Sequence, residues 1–315
     1  MICETCSKEK AVIFQPSTGK ALCSKCFIGS VKERVILEAN KLGLMKKRRI
    51  LLAVSGGKDS FTLVDTLSSF IEPSRLIAYN ITEGIEGYNR SDQVSQLREF
   101  LQTKGIDIIE DSFKRHVGYS LDEMMRASSE KHLNSSACTF CGLYRRRLIN
   151  DVAREVGADI VATGHNLDDE AQTIMINLLR GDTDRLLRFG YSDLKLSELF
   201  IERVKPLRKI YEWETTMYAK FLGYSFQERE CPYISRKPTM RSRVRELMYA
   251  MEESRPGILL NIVENFDKVS SRLRESFRER DELPLCRICG EPTSVGREIC
   301  KSCELLLKTG LMGVK

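Results

Sequence analysis

The feature that most constrains this chain is an apolar run that breaks directly into a pair of glycines. Residues 49–54 read Arg-Ile-Leu-Leu-Ala-Val, and Ser55-Gly56-Gly57-Lys58-Asp59-Ser60 follow without a spacer. A short apolar run without polar alternation reads as a strand covered on both faces. After the glycines, Phe61, Val64, Leu67 and Phe70 recur every third residue, the spacing of one helical face. Strand, glycine loop and helix in this order predict one unit of a parallel sheet.

The same alternation continues along the chain. Residues 76–81 form a second apolar run, then Val94, Leu97, Phe100 and Leu101 mark a helix stopped by Gly105, and residues 106–109 a third strand. A long polar connection leads to Cys138. Beyond it, Leu148, Ile149, Val152 and Val156 mark a helix ending at Gly157, and residues 159–163 a fourth strand. This strand runs into Gly164-His165-Asn166 and a further helix starting near Asp168 to Glu170. Residues 205–282 read as charged and mainly helical, punctuated by Pro206, Pro232, Pro238 and Pro256. The expected class is therefore α/β, a parallel doubly wound sheet with a helical C-terminal region. In such sheets ligands bind beyond the carboxyl ends of the strands, where both glycine-containing loops fall.

Eleven cysteines are distributed unevenly around this core. Cys3, Cys6, Cys23 and Cys26 form two C-x2-C pairs at one end, and Cys286, Cys289, Cys300 and Cys303 two more at the other. The N-terminal residues lack a signal peptide's charged start and apolar stretch, so a cytoplasmic address is expected and disulfides are a poor explanation. No apolar run is long enough to span a membrane. Two thiolate pairs fit a tetrahedral zinc ion, and four thiolates leave no open position, so both quartets read as structural zinc sites. Subtraction leaves Cys138, Cys141 and Cys231. From the residues alone these could ligate three irons of a [4Fe–4S] cluster, act as a redox dithiol with a persulfide carrier, or be buried structural thiols.

The loop chemistry is that of a phosphate cradle. Glycines let backbone N–H groups approach an anion at a helix start, Lys58 adds a mobile cation, and Ser55 and Ser60 add hydroxyls. It is not a Walker loop, because Leu52 stands where that pattern needs glycine and Asp59 follows the lysine. At the second loop, Gly164 gives access to a nucleotide, while Asp168 and Asp169 could hold magnesium or merely cap a helix. His165 could be catalytic or a hydrogen-bonded structural imidazole. The net charge of +6 is concentrated in residues 46–49, in Arg145-Arg146-Arg147, and in Arg236, Lys237, Arg241, Arg243 and Arg245. Each cluster could be a solvated face; three of them beside the chemical motifs point to a polyanion.

The hexapeptide resembles the S-G-G-x-D-S signature of the ATP-pyrophosphatase, or PP-loop, superfamily. The resemblance implies that ATP is split between its α and β phosphates, that Asp59 helps hold magnesium, and that the loop binds pyrophosphate. Gly164-His165-Asn166-Leu167-Asp168-Asp169 is similar to the second motif of the tRNA-thiolating branch. With Cys138-Thr139-Phe140-Cys141-Gly142-Leu143 and Glu230-Cys231-Pro232-Tyr233, nearly the whole chain resembles the tRNA 2-thiouridine synthetases with zinc fingers at both ends.

That resemblance carries specific expectations. Cys138, Cys141 and Cys231 would hold a [4Fe–4S] cluster, and with Asp59, Asp169 and Arg145 they would form the catalytic set. ATP would be bound by Ala53, Val54, Ser55, Gly56, Gly57, Lys58, Asp59, Ser60, Ile81, Gly164 and Asp169. The reaction would adenylate the C2 oxygen of a tRNA uridine and replace it with sulfur from sulfide or a ubiquitin-like thiocarboxylate carrier, in a homodimer. Residues 177–182 and 141–146 look like the wobble-position branch, in which Arg145 stands where T-loop enzymes tend to carry lysine. The chain would then divide into a zinc finger (1–30), a linker helix (31–48), a catalytic domain (49–210), a basic tRNA-binding region (211–282) and a second zinc finger (283–315). Two rivals are an adenylating ligase that joins an amine, and a zinc-ribbon RNA-binding scaffold. The first would not need the three central cysteines, and the second would bind tRNA and ATP without releasing AMP or pyrophosphate.

Overall fold

Side chains along the central strands alternate between two separate apolar cores, as a fully covered sheet requires. In the strand Ile50–Val54, Ile50, Leu52 and Val54 enter one core, whereas Leu51 enters the other. The computed structural model describes residues 1–89, 91–189, 197–226, 230–235, 239–275 and 283–313. Arg236, Lys237 and Pro238 therefore lie outside the described residues.

An N-terminal antiparallel hairpin is formed by β1 (Ile13–Gln15) and β2 (Lys20–Leu22). The main sheet contains β3 (Ile50–Val54), β4 (Leu76–Thr82), β5 (Asp107–Ser112), β6 (Ile160–Thr163) and β7 (Arg203–Val204). All its pairings are parallel, in the order β5-β4-β3-β6-β7. The chain moves outward from β3 through β4 to β5, then returns to the opposite side of β3 as β6. The loops after β3 and β6 therefore part at the switch point of the sheet, where a crevice opens. In register, Ile50 lies beside both Leu76 and Ile160.

One face is covered by the helices Ser24–Lys41, Lys58–Ser68, Ser91–Thr103 and Glu212–Phe221. The helix Ser24–Lys41 buries Phe27, Val31, Val35 and Ala39, so the N-terminal hairpin is packed onto the sheet through it. Gln15 strengthens that junction by donating to Glu214 at 2.7 Å, deep in the protein. The other face is covered by Leu121–Glu130, Ala137–Glu155 and the C-terminal helix Lys301–Thr309. A third core joins Leu167–Leu179 to Met240–Ser254 and Ile258–Glu275 through Ile174, Val244, Met248 and Val263. Beside it, the fully buried Arg208 binds Asp267 through two nitrogens, at 2.7 and 2.8 Å, and Glu170 at 3.3 Å. Such a network holds its elements in register, because stripping one partner leaves an uncompensated buried charge at a cost of roughly 3–5 kcal/mol.

Four local features differ from the sequence reading. The polar connection before Cys138 contains helices at Phe113–Val117 and Leu121–Glu130. The second carries a capping box between Ser120 and Glu123, and it buries only Leu121, Met124 and Ser128, so its composition stays polar. The helix carrying Leu148 begins at Ala137, placing Cys138, Cys141 and Arg145 on its opening turns. Phe70 lies just past the helix Lys58–Ser68 and is only partly buried against the core. β7 spans two residues, too few for any periodic signal. Among the described residues, no helix is long and apolar enough to cross a membrane.

Candidate active site

The glycine loop leaves β3 and turns at Gly56, whose φ of 77° is costly for any residue with a β-carbon. Gly57 caps the helix Lys58–Ser68 with no side-chain hydrogen bond, so the first backbone donors face the crevice. Ser60 closes the loop from inside, its Oγ accepting from the Ser55 N–H at 2.8 Å. A loop of this shape can cradle an anion.

Lys58 and Asp59 point into a polar cluster built by distant segments. Lys58 Nζ lies 3.0 Å from Asp59 and 3.1 Å from Glu212. Burial alone would depress the Lys58 pKa, but the two carboxylates outweigh it and raise it. The other Asp59 oxygen accepts from Thr215 Oγ1 at 2.6 Å and from Asn166 Nδ2 at 3.2 Å. Asn166 in turn caps the helix Leu167–Leu179 in a reciprocal box with Asp169. At Gly164 the two loops come close, since a β-carbon there would stand 3.4 Å from the backbone of Asp59, already at van der Waals contact.

The paired aspartates have different settings. Asp168 is buried and accepts from the Glu212 N–H at 2.7 Å; burial, with the nearby Glu212 and Asp169 charges, pushes it up to about 7. Asp169 is partly exposed and meets Arg241 at 3.3 Å. His165 bonds through Nδ1 to Thr163 Oγ1 at 2.8 Å, which satisfies a structural role for that ring nitrogen.

A cavity of about 110 Å³ opens beside the loop, lined by Ser55, Gly56, Gly57, Ile81, Glu83 and Arg145 among others. Ile81, expected from the resemblance to touch ATP, is among its lining residues. Ala53 and Val54 form the end of β3, and the Val54 carbonyl accepts from Asn80 at 2.8 Å. Arg145 reaches this cavity from the helix that also carries Cys138 and Cys141, and it donates to Glu83 at 2.5 Å.

The eleven cysteines sort into two kinds of site. In each quartet the four Sγ atoms all lie within 4.8 Å of one another. Four sulfurs about 2.3 Å from a central ion span edges of about 3.8 Å. The Cys6–Cys23 and Cys289–Cys300 separations of 3.9 and 3.6 Å match that figure. Cys23 and Cys300 each cap a helix, and N–H groups aim at the sulfurs of Cys23, Cys286 and Cys300. This donor set fits a tetrahedral ion such as zinc.

Cys138, Cys141 and Cys231 are arranged otherwise. Their sulfurs are not all within 4.8 Å of one another, yet they interact electrostatically. Burial pushes Cys141 up to about 11, with Arg145 opposing and the other two thiols reinforcing the rise. Thiolates on separate irons of one cluster necessarily stand wider apart than thiolates sharing one ion. The three soft donors, with Cys138 exposed, fit such a cluster with one side open.

Cys138 and Asp169 line a much larger cavity of about 1280 Å³. Its described lining carries nine arginine and lysine side chains against five carboxylates. Arg146, Arg180, Arg203, Arg241 and Arg245 come from the central region, and Arg297 from the C-terminal module. Reading the sequence missed Arg297, Lys301, Glu83, Glu212 and Thr215. The first two sit in a segment read only for its cysteines; the others have no local motif.

A family model described as the PP-loop domain matches residues 30–250, and one described as the 2-thiouridine synthetase TtuA N-terminal LIM domain matches residues 2–28. The chain belongs to the PP-loop domain family. Within the family it is 32% identical over 312 residues to a probable sulfurtransferase of Methanocaldococcus jannaschii, covering 98% of this chain and 88% of that one. It is 30% identical to cytoplasmic tRNA 2-thiolation protein 1 of Drosophila melanogaster, covering 97% of this PP-loop chain and 87% of the relative. Its fold matches the U34-tRNA thiolase NcsA of Methanococcus maripaludis, solved with its [4Fe–4S] cluster, at a TM-score of 0.78 and 31% identity, over 100% of this chain and 97% of that one.

Proposed function

We propose that this protein is a tRNA-uridine 2-sulfurtransferase acting at the wobble position. The observation that carries the reading is the shared basic cavity: Cys138 and Asp169 line one concave surface rich in arginine, adjacent to the phosphate loop. A polyanion seated there brings one base within reach of both chemistries.

ATP binds with its phosphates on the N–H groups of Ser55 to Ser60, and Ala53, Val54, Ile81 and Gly164 border the rest of the nucleotide. Asp59 and Asp169 hold magnesium; Asn166 and Thr215 keep Asp59 aimed at it. The uridine C2 oxygen attacks the α-phosphorus, breaking the bond to the β-phosphate oxygen and releasing pyrophosphate. Lys58, already charged, follows the departing phosphates. Sulfide then forms the C2–S bond as the C2–O bond breaks, and AMP leaves. A [4Fe–4S] cluster held by Cys138, Cys141 and Cys231 supplies, when bound, an open iron position for the incoming sulfur. Arg145, between Cys141 and the nucleotide cavity, stabilises charge on the departing oxygen.

Each cysteine quartet holds one structural zinc. The boundaries assigned are a zinc module at 1–30, a connecting helix at 31–48, the catalytic domain at 49–210, the tRNA-binding region at 211–282 and the second zinc module at 283–315. The sulfur donor is sulfide or a ubiquitin-like thiocarboxylate, the protein acts as a homodimer, and its place is the cytoplasm.

The test is anaerobic reconstitution with iron and sulfide, then incubation with unmodified tRNA, ATP and magnesium, followed by nucleoside mass spectrometry and mapping. Formation of 2-thiouridine at the wobble position is expected. Its absence from cluster-loaded protein would overturn the proposal, and mapping to the T-loop would overturn the position.

A further inference from the structure

A buried carboxylate beside an anion-binding loop is an expensive feature, because it desolvates one negative charge and repels another. Glu83 is such a group. It is 2% exposed, follows β4, and lines the same cavity as Ser55, Gly56 and Gly57.

Its backbone is clamped from both sides. The Glu83 carbonyl accepts from the Leu121 N–H at 2.8 Å. The next residue, Gly84, has a φ of 72°, and a β-carbon there would stand 2.6 Å from Ser120 Cβ. The carboxylate is fixed as well. One oxygen accepts from Asn89 Nδ2 at 2.7 Å, and Asn89 Oδ1 accepts in turn from the Ile85 N–H at 2.8 Å. The other accepts from Arg145 Nε at 2.5 Å and also meets Nη2.

Arg145 lies one helical turn beyond Cys141, so its guanidinium bridges the space between that thiol and the nucleotide cavity. Its side chain is 45% exposed despite the ion pair. A guanidinium carries five N–H donors in a rigid fork, and an edge engaged by one carboxylate leaves the opposite edge free to meet an oxygen.

We infer that Glu83 is a positioning residue for the sulfur-transfer step, holding Arg145 so that its outer N–H edge faces the oxygen of the adenylated uridine beside Cys141. This rests on the thiolation reading proposed above. Glu83 touches neither sulfur nor uridine and acts only through Arg145. It also cancels the charge that would otherwise pull the guanidinium inward onto the triphosphate, leaving Arg145 for the second half of the reaction.

The test is a double-mutant cycle on the full-length, anaerobically loaded protein with Glu83→Gln, Arg145→Gln and the pair. Rates of 2-thiouridine formation are read beside iron content and Tm. Loss of an orienting partner typically costs 10- to 100-fold, so Glu83→Gln should lower kcat by at least about tenfold with iron content as in the wild type. In the Arg145→Gln background the same change should alter kcat by less than about twofold, since the group it orients is gone. Glu83→Asp, which keeps the charge and retracts the carboxylate, serves if the glutamine variant does not fold; its smaller loss should likewise vanish without Arg145. Wild-type kcat in both single Glu83 variants, or losses that multiply in the double variant, would overturn the inference while leaving the thiolation reading intact. If the wild type itself makes no 2-thiouridine, the underlying reading fails instead.

Discussion

The cysteine quartets and the cysteine trio solve opposite problems with the same side chain. In each quartet, four sulfurs crowd within 4.8 Å, and N–H groups from a helix start help fix them. Such a site is closed, and its energy goes into folding. The trio draws Cys138 and Cys141 from one helix and Cys231 from a segment far along the chain, leaves Cys138 exposed, and opens onto the basic cavity. On the reading proposed above, number and spacing of donors separate a structural metal site from one with room for a reactant.

Several substitutions can break or sharpen that contrast. The largest effect is expected from Cys141→Ala, which should abolish thiolation, a loss at least on the order of 10³-fold, as when a group needed in the chemical step is deleted. Zinc content, measured by plasma emission spectrometry, should stay as in the wild type; a matching loss of zinc would show that the two kinds of site are not independent. Cys303→Ser should do the reverse first, removing zinc from the C-terminal quartet. That module also packs Leu305 and Leu306 against Phe140 and Tyr144 on the helix bearing Cys138, and the Tyr144 hydroxyl donates to the Ser302 carbonyl at 2.9 Å. Iron loading at the trio should therefore fall by only a few-fold, because the helix is loosened while every cluster ligand and its direct partners remain; full iron loading would separate the modules.

Smaller effects bear on the nucleotide and tRNA surfaces. Gly56→Ala forces a side chain into a left-handed conformation at about 1–2 kcal/mol, which should raise the KM for ATP about tenfold if the loop must keep this shape to bind phosphate. An unchanged KM would remove the cradle assignment. Arg245→Glu should weaken tRNA binding about tenfold and lower the salt slope of the affinity by roughly one to two, while tRNA-independent ATP binding stays level. Filter binding across a salt series checks both. The smallest effect belongs to Thr215→Val, which strips Asp59 of one hydroxyl donor at about 1 kcal/mol and should change the magnesium dependence a few-fold.

What could be read from the sequence divides along the same line as the chemistry. The phosphate loop, the Gly164 loop and the two quartets are each local, so spacing alone exposes them. The partners that aim these groups are not local. Glu83 is 62 positions from Arg145, Glu212 is 154 from Lys58, and Thr215 is 156 from Asp59. Only the β5-β4-β3-β6-β7 order brings them together. The helix Leu121–Glu130 was hidden for another reason: it buries so little of its surface that its composition reads as a loop, although Ser120 and Glu123 form a capping box. Arg297 and Lys301 drew no attention among the cysteines of the C-terminal module, yet they line the cavity.

The central claim is that the closed loop chemistry and the open cysteine trio are successive halves of one reaction on one uridine. The most direct measurement quantifies pyrophosphate, AMP and 2-thiouridine in the same anaerobic incubation, for wild-type and Cys141→Ala protein. Equal amounts of the three products are predicted for cluster-loaded wild type, and for the variant tRNA-dependent pyrophosphate with the adenylate left on the uridine and no 2-thiouridine. Undiminished 2-thiouridine from Cys141→Ala, or 2-thiouridine formed by the wild type with no AMP, would contradict the account.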